Sequence, residues 1–381
     1  MASNPFVYGE VVPAAAFVDR EDELDRLRRD LGDSQKIFLI SPRRYGKSSL
    51  IRHALLAAAR GGALTCEVTV ASYSSYVGFL EGYTRALAAL QGKWDLARAW
   101  LKEGLAGVRI DVRPESGAGP GRVLVTFPDV RTSRELSQVA AAVFALPAHL
   151  AAARGRRVVV ALDEFQAIGA FNGGSVEQSL RAAIQHQRQV GYVFAGSEPS
   201  LMERMLGPKR PFYKAGPVMR LDKIPADIFS AFVEARYSRS GIKPEPGVGA
   251  AHVELAGNMP YDVQRLAHET WDDVHAMGRK RVDEDDLHRT LNRLLTEQHV
   301  MFEAVWQRFT LPQRAVLRAV VLTEGRELLA SRVRQRYRLG GASTVQAALG
   351  ALARGDVIAR ENGRYTVVDS LLREWVARRT Y

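Results

Sequence analysis

Apolar residues along this chain come in two patterns, short continuous blocks that read as strands buried on both faces and stripes at helical spacing that follow them. Asp19 caps a predicted helix in which Leu24, Leu27 and Leu31 recur at that spacing. Residues 36–40, Lys-Ile-Phe-Leu-Ile, form a buried strand. It runs straight through Ser41-Pro42-Arg43-Arg44-Tyr45-Gly46-Lys47-Ser48-Ser49 into a helix over residues 50–60, stopped by Gly61-Gly62. A strand at 63–70 and a helix at 76–90 complete a β-α-β-α opening, which predicts an α/β fold with a doubly wound parallel sheet. Two later blocks, Val158-Val159-Val160-Ala161-Leu162 and Gly191-Tyr192-Val193-Phe194-Ala195, supply further buried strands. Between them and the opening lies a stretch a minimal sheet does not need, residues 91–129, with Trp94, Trp100 and strand patterns at 108–112 and 123–127. The joining Glu115-Ser116-Gly117-Ala118-Gly119-Pro120-Gly121 predicts a hairpin insertion, which either docks a partner or packs on the core.

The pattern changes at the C-terminal end. Helical stripes at 299–309, 313–323, 331–338 and 343–354 precede two short strands, 357–360 and 364–368, which flank Glu361-Asn362-Gly363, a strong hairpin turn. Asp369 then caps a closing helix with Leu371, Leu372, Trp375 and Val376 inward. This order predicts a winged helix. Within 331–338, Val333 and Tyr337 face the core, which leaves Arg332 with Arg336 and Arg334 with Arg338 along two outer sides. Those arginines and the wing-tip Arg360 and Arg364 can straddle a phosphate backbone. In the presumptive recognition helix Val345, Leu349 and Leu352 are core, so only Ser343, Thr344 and Gln346 remain to read bases. Double-stranded DNA bound without sequence preference, or a protein partner, are the two occupants the pattern allows.

Composition adds limits. At 381 residues the chain exceeds what one hydrophobic core serves, so two or three modules are expected. One cysteine, Cys66, excludes a disulfide framework, and residues 1–10 lack the basic and apolar regions of a secretory signal. The apolar run at 139–153 is Ala-rich, holds Pro147 and His149, and reads as too short and too weakly apolar to span a bilayer. A soluble, cytoplasmic protein is therefore expected. The formal net charge of +11 is concentrated: residues 299–381 hold 14 Arg against seven Asp and Glu. Only nine of 53 basic residues are Lys, so part of the excess is compositional bias rather than a polyanion site.

Chemistry centres on the loop before the second helix. Unpaired N–H groups and the dipole at a helix N-terminus favour an anion, and Gly46 lets backbone approach it. In a Walker A motif Lys47 reaches the β- and γ-phosphates and the Ser48 hydroxyl ligates Mg²⁺. The motif departs from the consensus at its first glycine, which is Ser41 here. The strand at 158–162 ends in Asp163-Glu164, the Walker B position, at the sheet edge where doubly wound folds bind ligands. Asp163 is the candidate Mg²⁺ ligand and Glu164 the general base for the attacking water. Ser197, after the next strand, either contacts the γ-phosphate or the water, or caps the following helix, and the two are compatible. Glu164 also argues against a small-molecule kinase, for which a water-activating carboxylate only wastes the nucleotide.

Taken together, Phe17-Val18-Asp19-Arg20-Glu21, Pro42-Arg43-Arg44-Tyr45-Gly46-Lys47-Ser48-Ser49-Leu50, Leu162-Asp163-Glu164-Phe165 and Gly196-Ser197 resemble the archaeal-type ATPase family, an AAA+-like, STAND-related group of P-loop proteins. The resemblance runs from about residue 4 to the C-terminus. It implies ATP and Mg²⁺ as ligands, with Arg43, Arg44, Tyr45, Gly46, Lys47, Ser48 and Ser49 around the phosphates. It also implies three modules: an ATPase core over 1–225 with an N-terminal adenine-side segment and the 91–129 insertion, a helical lid over 226–298, and a winged helix over 299–381. Gly257-Asn258-Met259-Pro260-Tyr261 would be the lid turn that faces the base, with Pro260 beside the nucleotide; read locally it is an ordinary helix stop and restart. Proteins of that family often carry an Arg after a Pro-x-Tyr segment as a candidate finger; here Pro211-Phe212-Tyr213 leads to Lys214, with Arg210 and Arg220 as substitutes. The expected function is ATP hydrolysis that drives or times a conformational change. The alternative is a nucleotide-gated DNA-binding regulator with negligible turnover.

Overall fold

A computed structural model describes residues 3–10, 12, 13, 17–114, 123–128, 130–171, 175–361 and 363–379. The chain divides into two compact units, Val11–Asp222 and Met1–Glu10 with Lys223–Tyr381. In the first, the elements in chain order are α1 (Glu21–Gly32), β1 (Lys36–Ile40), α2 (Lys47–Arg60), β2 (Leu64–Thr69), α3 (Tyr76–Ala89), α4 (Trp94–Gly104), β3 (Asp111–Pro114), β4 (Val123–Thr126), α5 (Ser133–Arg154), β5 (Val158–Asp163), α6 (Ser175–Ile184), β6 (Val190–Gly196), α7 (Pro199–Met205) and β7 (Val218–Arg220).

Five of the strands form one parallel sheet in the order β2-β5-β6-β1-β7. Strand side chains alternate between its faces. Ile37, Leu39, Val159, Ala161, Val193 and Ala195 pack with α1 and α2, while Phe38, Val160, Leu162, Tyr192 and Phe194 pack with α3, α5, α6 and α7. Both faces are covered, which is why these strands read as continuous apolar runs. The doubly wound sheet expected from the sequence is therefore present.

Local details correct several expectations. Asp19 does not cap α1: its φ is 45°, Arg20 holds the N-cap position, and the Glu21 carboxylate accepts the Arg20 N–H instead. Helix α2 begins at Lys47, not residue 50, because Gly46 already accepts from the Leu50 N–H. In the insertion, the strands pair Asp111 with Thr126 and Pro114 with Val123, so the first lies later than the apolar pattern placed it. Val123, Val125 and Phe127 alternate inward and join the core that holds α3, α4 and α5, which assigns the hairpin to core packing. The predicted tip at 115–121 lies outside the described residues.

The run at 139–153 is part of α5, whose 22 residues are long and apolar enough, by length and composition, to cross a membrane. That corrects the reading of it as too short, since the helix extends beyond the apolar run at its N-terminal end. Val139, Val143, Phe144, Leu146 and Leu150 are buried against the sheet, and this packing accounts for the helix's apolarity.

The second unit holds α8 (Ala226–Arg239), β8 (Lys243–Pro244), α9 (Val248–Leu255), α10 (Pro260–Ala276), β9 (Arg281–Val282), α11 (Glu284–Glu297), α12 (His299–Arg308), α13 (Leu311–Leu322), α14 (Ser331–Arg336), α15 (Ala342–Arg354), β10 (Ile358–Glu361), β11 (Arg364–Val367) and α16 (Ser370–Arg378). The predicted separation of lid from winged helix is softer than expected. Leu266, Leu291, Leu294 and Leu295 of α10 and α11 share one core with Phe302, Trp306, Val316, Leu349 and Trp375. Residues 3–10, expected with the ATPase core, belong to this unit instead. Phe6 is buried against Tyr237 with ring centroids 4.8 Å apart, Asn4 donates to the His268 carbonyl (3.0 Å), and the Tyr8 hydroxyl donates to Glu269 (2.6 Å). The antiparallel β10–β11 wing and the Asp369 cap, which accepts from the Leu372 N–H at 3.0 Å, follow the sequence pattern; Asn362 lies outside the described residues.

Candidate functional site

The loop between β1 and α2 turns because two of its residues leave ordinary backbone space: Arg44 has φ 70° and Gly46 has φ 86°. At Gly46 an added Cβ would meet nothing within 4 Å, so glycine is needed there for conformation rather than room. No acidic residue stands in the first turn of α2, so its unpaired N–H groups and positive dipole end keep their preference for an anion. Ser41, in place of the first glycine, is buried, donates its N–H to the Gly196 carbonyl (3.1 Å) and its hydroxyl to Pro42 O (3.0 Å). The substitution thus removes no phosphate-facing group. Tyr45 is buried.

Helix α2 aims Lys47 at the end of β5. Its ammonium, 6 % exposed, donates to Asp163 Oδ1 and lies 3.4 Å from Glu164 Oε1, while the Ser48 hydroxyl donates to Asp163 Oδ2 at 3.3 Å. Glu164 adopts φ 51°, and its own N–H donates back to Asp163 Oδ1 (2.8 Å), which closes a tight turn after the strand. The other Glu164 oxygen, Oε2, accepts from the Ser197 hydroxyl at 2.5 Å and from Gln166 Nε2 at 2.6 Å. Burial pushes the Glu164 carboxyl up, but the Ser197 hydrogen bond, the Lys47 charge and the Gln166 hydrogen bond outweigh it, so the group is held below the usual carboxylate range. On the neighbouring strand β2, burial raises Glu67, offset in part by the Arg52 guanidinium 3.8 Å away.

Ser197 therefore faces Glu164. The alternative cap role is not what the structure shows, since Glu198 holds the N-cap position of α7, where no side-chain cap bond forms. Gln166 carried no motif in the sequence; it is a polar residue two positions past Glu164, and only the turn brings it back. Ser49, expected at the phosphates, is buried and accepts from the Val12 N–H at 3.1 Å, with His53 Nε2 2.8 Å from the Val12 carbonyl.

Mg²⁺ prefers hard oxygen ligands, few of them from protein, with phosphate and water supplying the rest. Ser48 Oγ and Asp163 Oδ2 are two such oxygens side by side, and no cluster of three His, Cys, Asp or Glu side chains among the described residues offers a rival protein-only metal site. The donor set fits Mg²⁺.

Other candidates lie elsewhere. Pro260 opens α10 in the second unit, after Gly257 and Asn258 at φ 60° and 54°, and Asn258 Nδ2 donates to Ile224 O (2.9 Å); the stop-and-restart reading describes this turn. Lys214, at φ 52°, places its ammonium 5.4 Å from the Tyr213 ring centre. Arg210 pairs with Glu177 (3.1 Å) and Arg220 with Glu203 (2.7 Å). In the winged helix, Arg332 is paired with Glu327, Arg336 lies 5.6 Å from the Tyr337 ring centre, Arg360 lies 5.9 Å from that of Tyr365, and Arg364 is exposed. Arg334 is committed locally, donating to the Leu329 carbonyl at 3.0 Å.

Among solved structures, a Walker-type ATPase of Pyrococcus abyssi aligns with 96 % of this chain and 99 % of its own at TM-score 0.65 and 17 % identity. The ORC2 protein of Aeropyrum pernix, solved with ADPNP and ADP, aligns at TM-score 0.55 and 12 % identity over 99 % of this chain and 98 % of its own. This chain has the fold of a P-loop ATPase. The Aeropyrum pernix ORC1 protein, solved in complex with DNA, is also similar, with TM-score 0.53, 14 % identity and coverage of 97 % and 96 %. A family model described as a probable winged helix domain matches residues 300–378, which agrees with α12 to α16 and the β10–β11 wing. No curated protein matches the chain. In this fold, the loop, the β5 end and the β6 end lie together.

Proposed function

We propose that this chain binds ATP with Mg²⁺ and hydrolyses it, and that turnover drives or times a conformational change. The observation that carries the reading is the convergence of Lys47, Ser48, Asp163, Glu164 and Ser197 at adjoining strand ends, each within hydrogen-bonding reach of another. Lys47 leaves the two carboxylates for the β- and γ-phosphates when nucleotide arrives, and the N–H groups from Arg43 to Ser48 cradle them. Ser48 and Asp163 would hold Mg²⁺, which would neutralise phosphate charge. Once Lys47 withdraws, Glu164 Oε1 is open to accept a proton from water as the water oxygen attacks the γ-phosphorus and the bond to the bridging oxygen breaks. Ser197 holds the other oxygen of Glu164.

The setting we propose is cytoplasmic, supported by the buried, unpaired Cys66 thiol, which burial pushes up to about 12. The second reading, a nucleotide-gated DNA-binding regulator, is favoured by one observation, the winged helix with exposed Arg364 and two ring-stacked arginines, Arg336 and Arg360. Phosphate release measured with and without duplex DNA separates the two. Mg²⁺-dependent release that Glu164→Gln abolishes supports hydrolysis; ATP-dependent DNA binding with no release supports the regulator and overturns it.

A further inference from the structure

We propose that Gln166 is a positioning residue, which fixes one carboxylate oxygen of Glu164 so that the other takes the proton. The inference rests on the hydrolytic reading for its consequence but not for its geometry. Glu164 leaves the strand at φ 51°, Phe165 is then buried between Phe194 (ring centroids 4.7 Å apart) and Phe212 (5.3 Å), and Gln166 is returned to the side of the sheet end that Glu164 occupies. Its Nε2 lies 2.6 Å from Glu164 Oε2 and 3.4 Å from both Ser197 Oγ and Glu198 Oε1. Three oxygens surround that nitrogen, so the amide cannot be turned round without setting its carbonyl against a carboxylate.

The cost of this orientation falls on the other end of the amide. Gln166 Oε1 is buried and has no hydrogen-bond partner among the described residues. A fold that leaves a buried carbonyl unsatisfied is putting the nitrogen where it is wanted. A Cβ on the facing Gly196 of β6 would stand 2.4 Å from Met202 Cγ, 2.5 Å from Met202 Sδ and 2.8 Å from Gln166 Oε1. Gly196 has no left-handed backbone that would call for glycine, so space is its reason. Oε2 of Glu164 then has two donors, Gln166 and Ser197, while Oε1 faces Lys47, the group that leaves for the phosphates.

The carboxylate signal of Glu164 at fixed pH tests this directly. Carbon-13 carboxyl signals of glutamate-labelled protein, with Glu164 assigned by its loss in Glu164→Gln, are compared at pH 7.5 in wild type, Gln166→Leu and Gln166→Met. Both variants remove a donor to Glu164 Oε2, so the Glu164 signal should move in each while other glutamate signals stay in place. An unmoved Glu164 signal in a folded variant overturns the proposal, whether or not the protein hydrolyses ATP. Gln166→Met keeps the unbranched shape of the side chain, so it serves if Gln166→Leu does not fold. The kinetic counterpart is kcat down about tenfold with KM for ATP within about twofold. A fall in kcat matched by a loss of ATP affinity marks a packing role and overturns the assignment. Failure of wild type to release phosphate counts against the hydrolytic reading alone.

Discussion

Lys47 carries the charge that α2 aims at the end of β5, so on the proposed function Lys47→Ala should weaken ATP binding by about 10² or more in calorimetry. Unchanged affinity would show that the loop is not the nucleotide site. Glu164→Gln keeps the shape and loses the proton acceptor; it should still bind ATP and Mg²⁺ while turnover in a phosphate-release assay falls by about 10² or more. Asp163→Ala should instead raise the Mg²⁺ concentration needed for half-maximal activity. These residues were legible because each ends an apolar block or opens a helix, places where side-chain direction follows from the backbone. The Ser49 hydroxyl was not legible in this way, since one helical position turns it from the Ser48 side to the Val12 N–H. Gln166 was not legible: nothing local says that a left-handed Glu164 will return it to the carboxylate.

At the scale of elements, periodicity located four of the five sheet strands, all but the three-residue β7, and the five helices of the winged helix, and tertiary context moved their ends. Helix α4 went unpredicted although Ala97, Trp100 and Leu101 are buried at i, i+3 and i+4, because its neighbours suggested only a hairpin insertion. The wing offers a test in which the structure sharpens the sequence. The Arg336 and Arg360 guanidinium groups lie 5.6 Å and 5.9 Å from tyrosine ring centres, whereas Arg332 is paired with Glu327. In fluorescence titrations of duplex DNA with the full chain, neutralising Arg336 or Arg360 should each flatten the salt dependence by roughly one unit, and Arg332→Gln should change it less. Equal slopes in all three variants would leave the winged helix as a protein-docking element. For α5, Phe144→Ala should lower stability by about 3–5 kcal/mol, measured by denaturant unfolding, because the side chain is fully buried beneath the sheet.

On the scale of the whole molecule, acid should loosen the second unit through one buried ring. His252 Nδ1 donates to the Val248 carbonyl at 2.8 Å, and burial pushes its pKa down from 6.5 to about 4. Between those values the unfolded chain binds a proton the folded one refuses, so stability is whole above pH 6.5, falls as pH drops, and stops falling below about 4. Denaturant unfolding at pH 7.5 and 5 should differ by about 2 kcal/mol more in wild type than in His252→Gln; equal differences would mean the imidazole titrates normally. By itself the sequence determined the parallel sheet, the phosphate loop, the paired carboxylates and the winged helix, since apolar periodicity, turn residues and strand ends act over a few residues at a time. Tertiary structure alone decided that residues 3–10 pack on α10, that α10 and α11 share one core with the winged helix, and that α5 lays its apolar face on the sheet. It alone also placed Ser197 and Gln166 on one oxygen of Glu164. Each of these depends on which surface meets which after the chain has closed on itself, and no local pattern records that meeting.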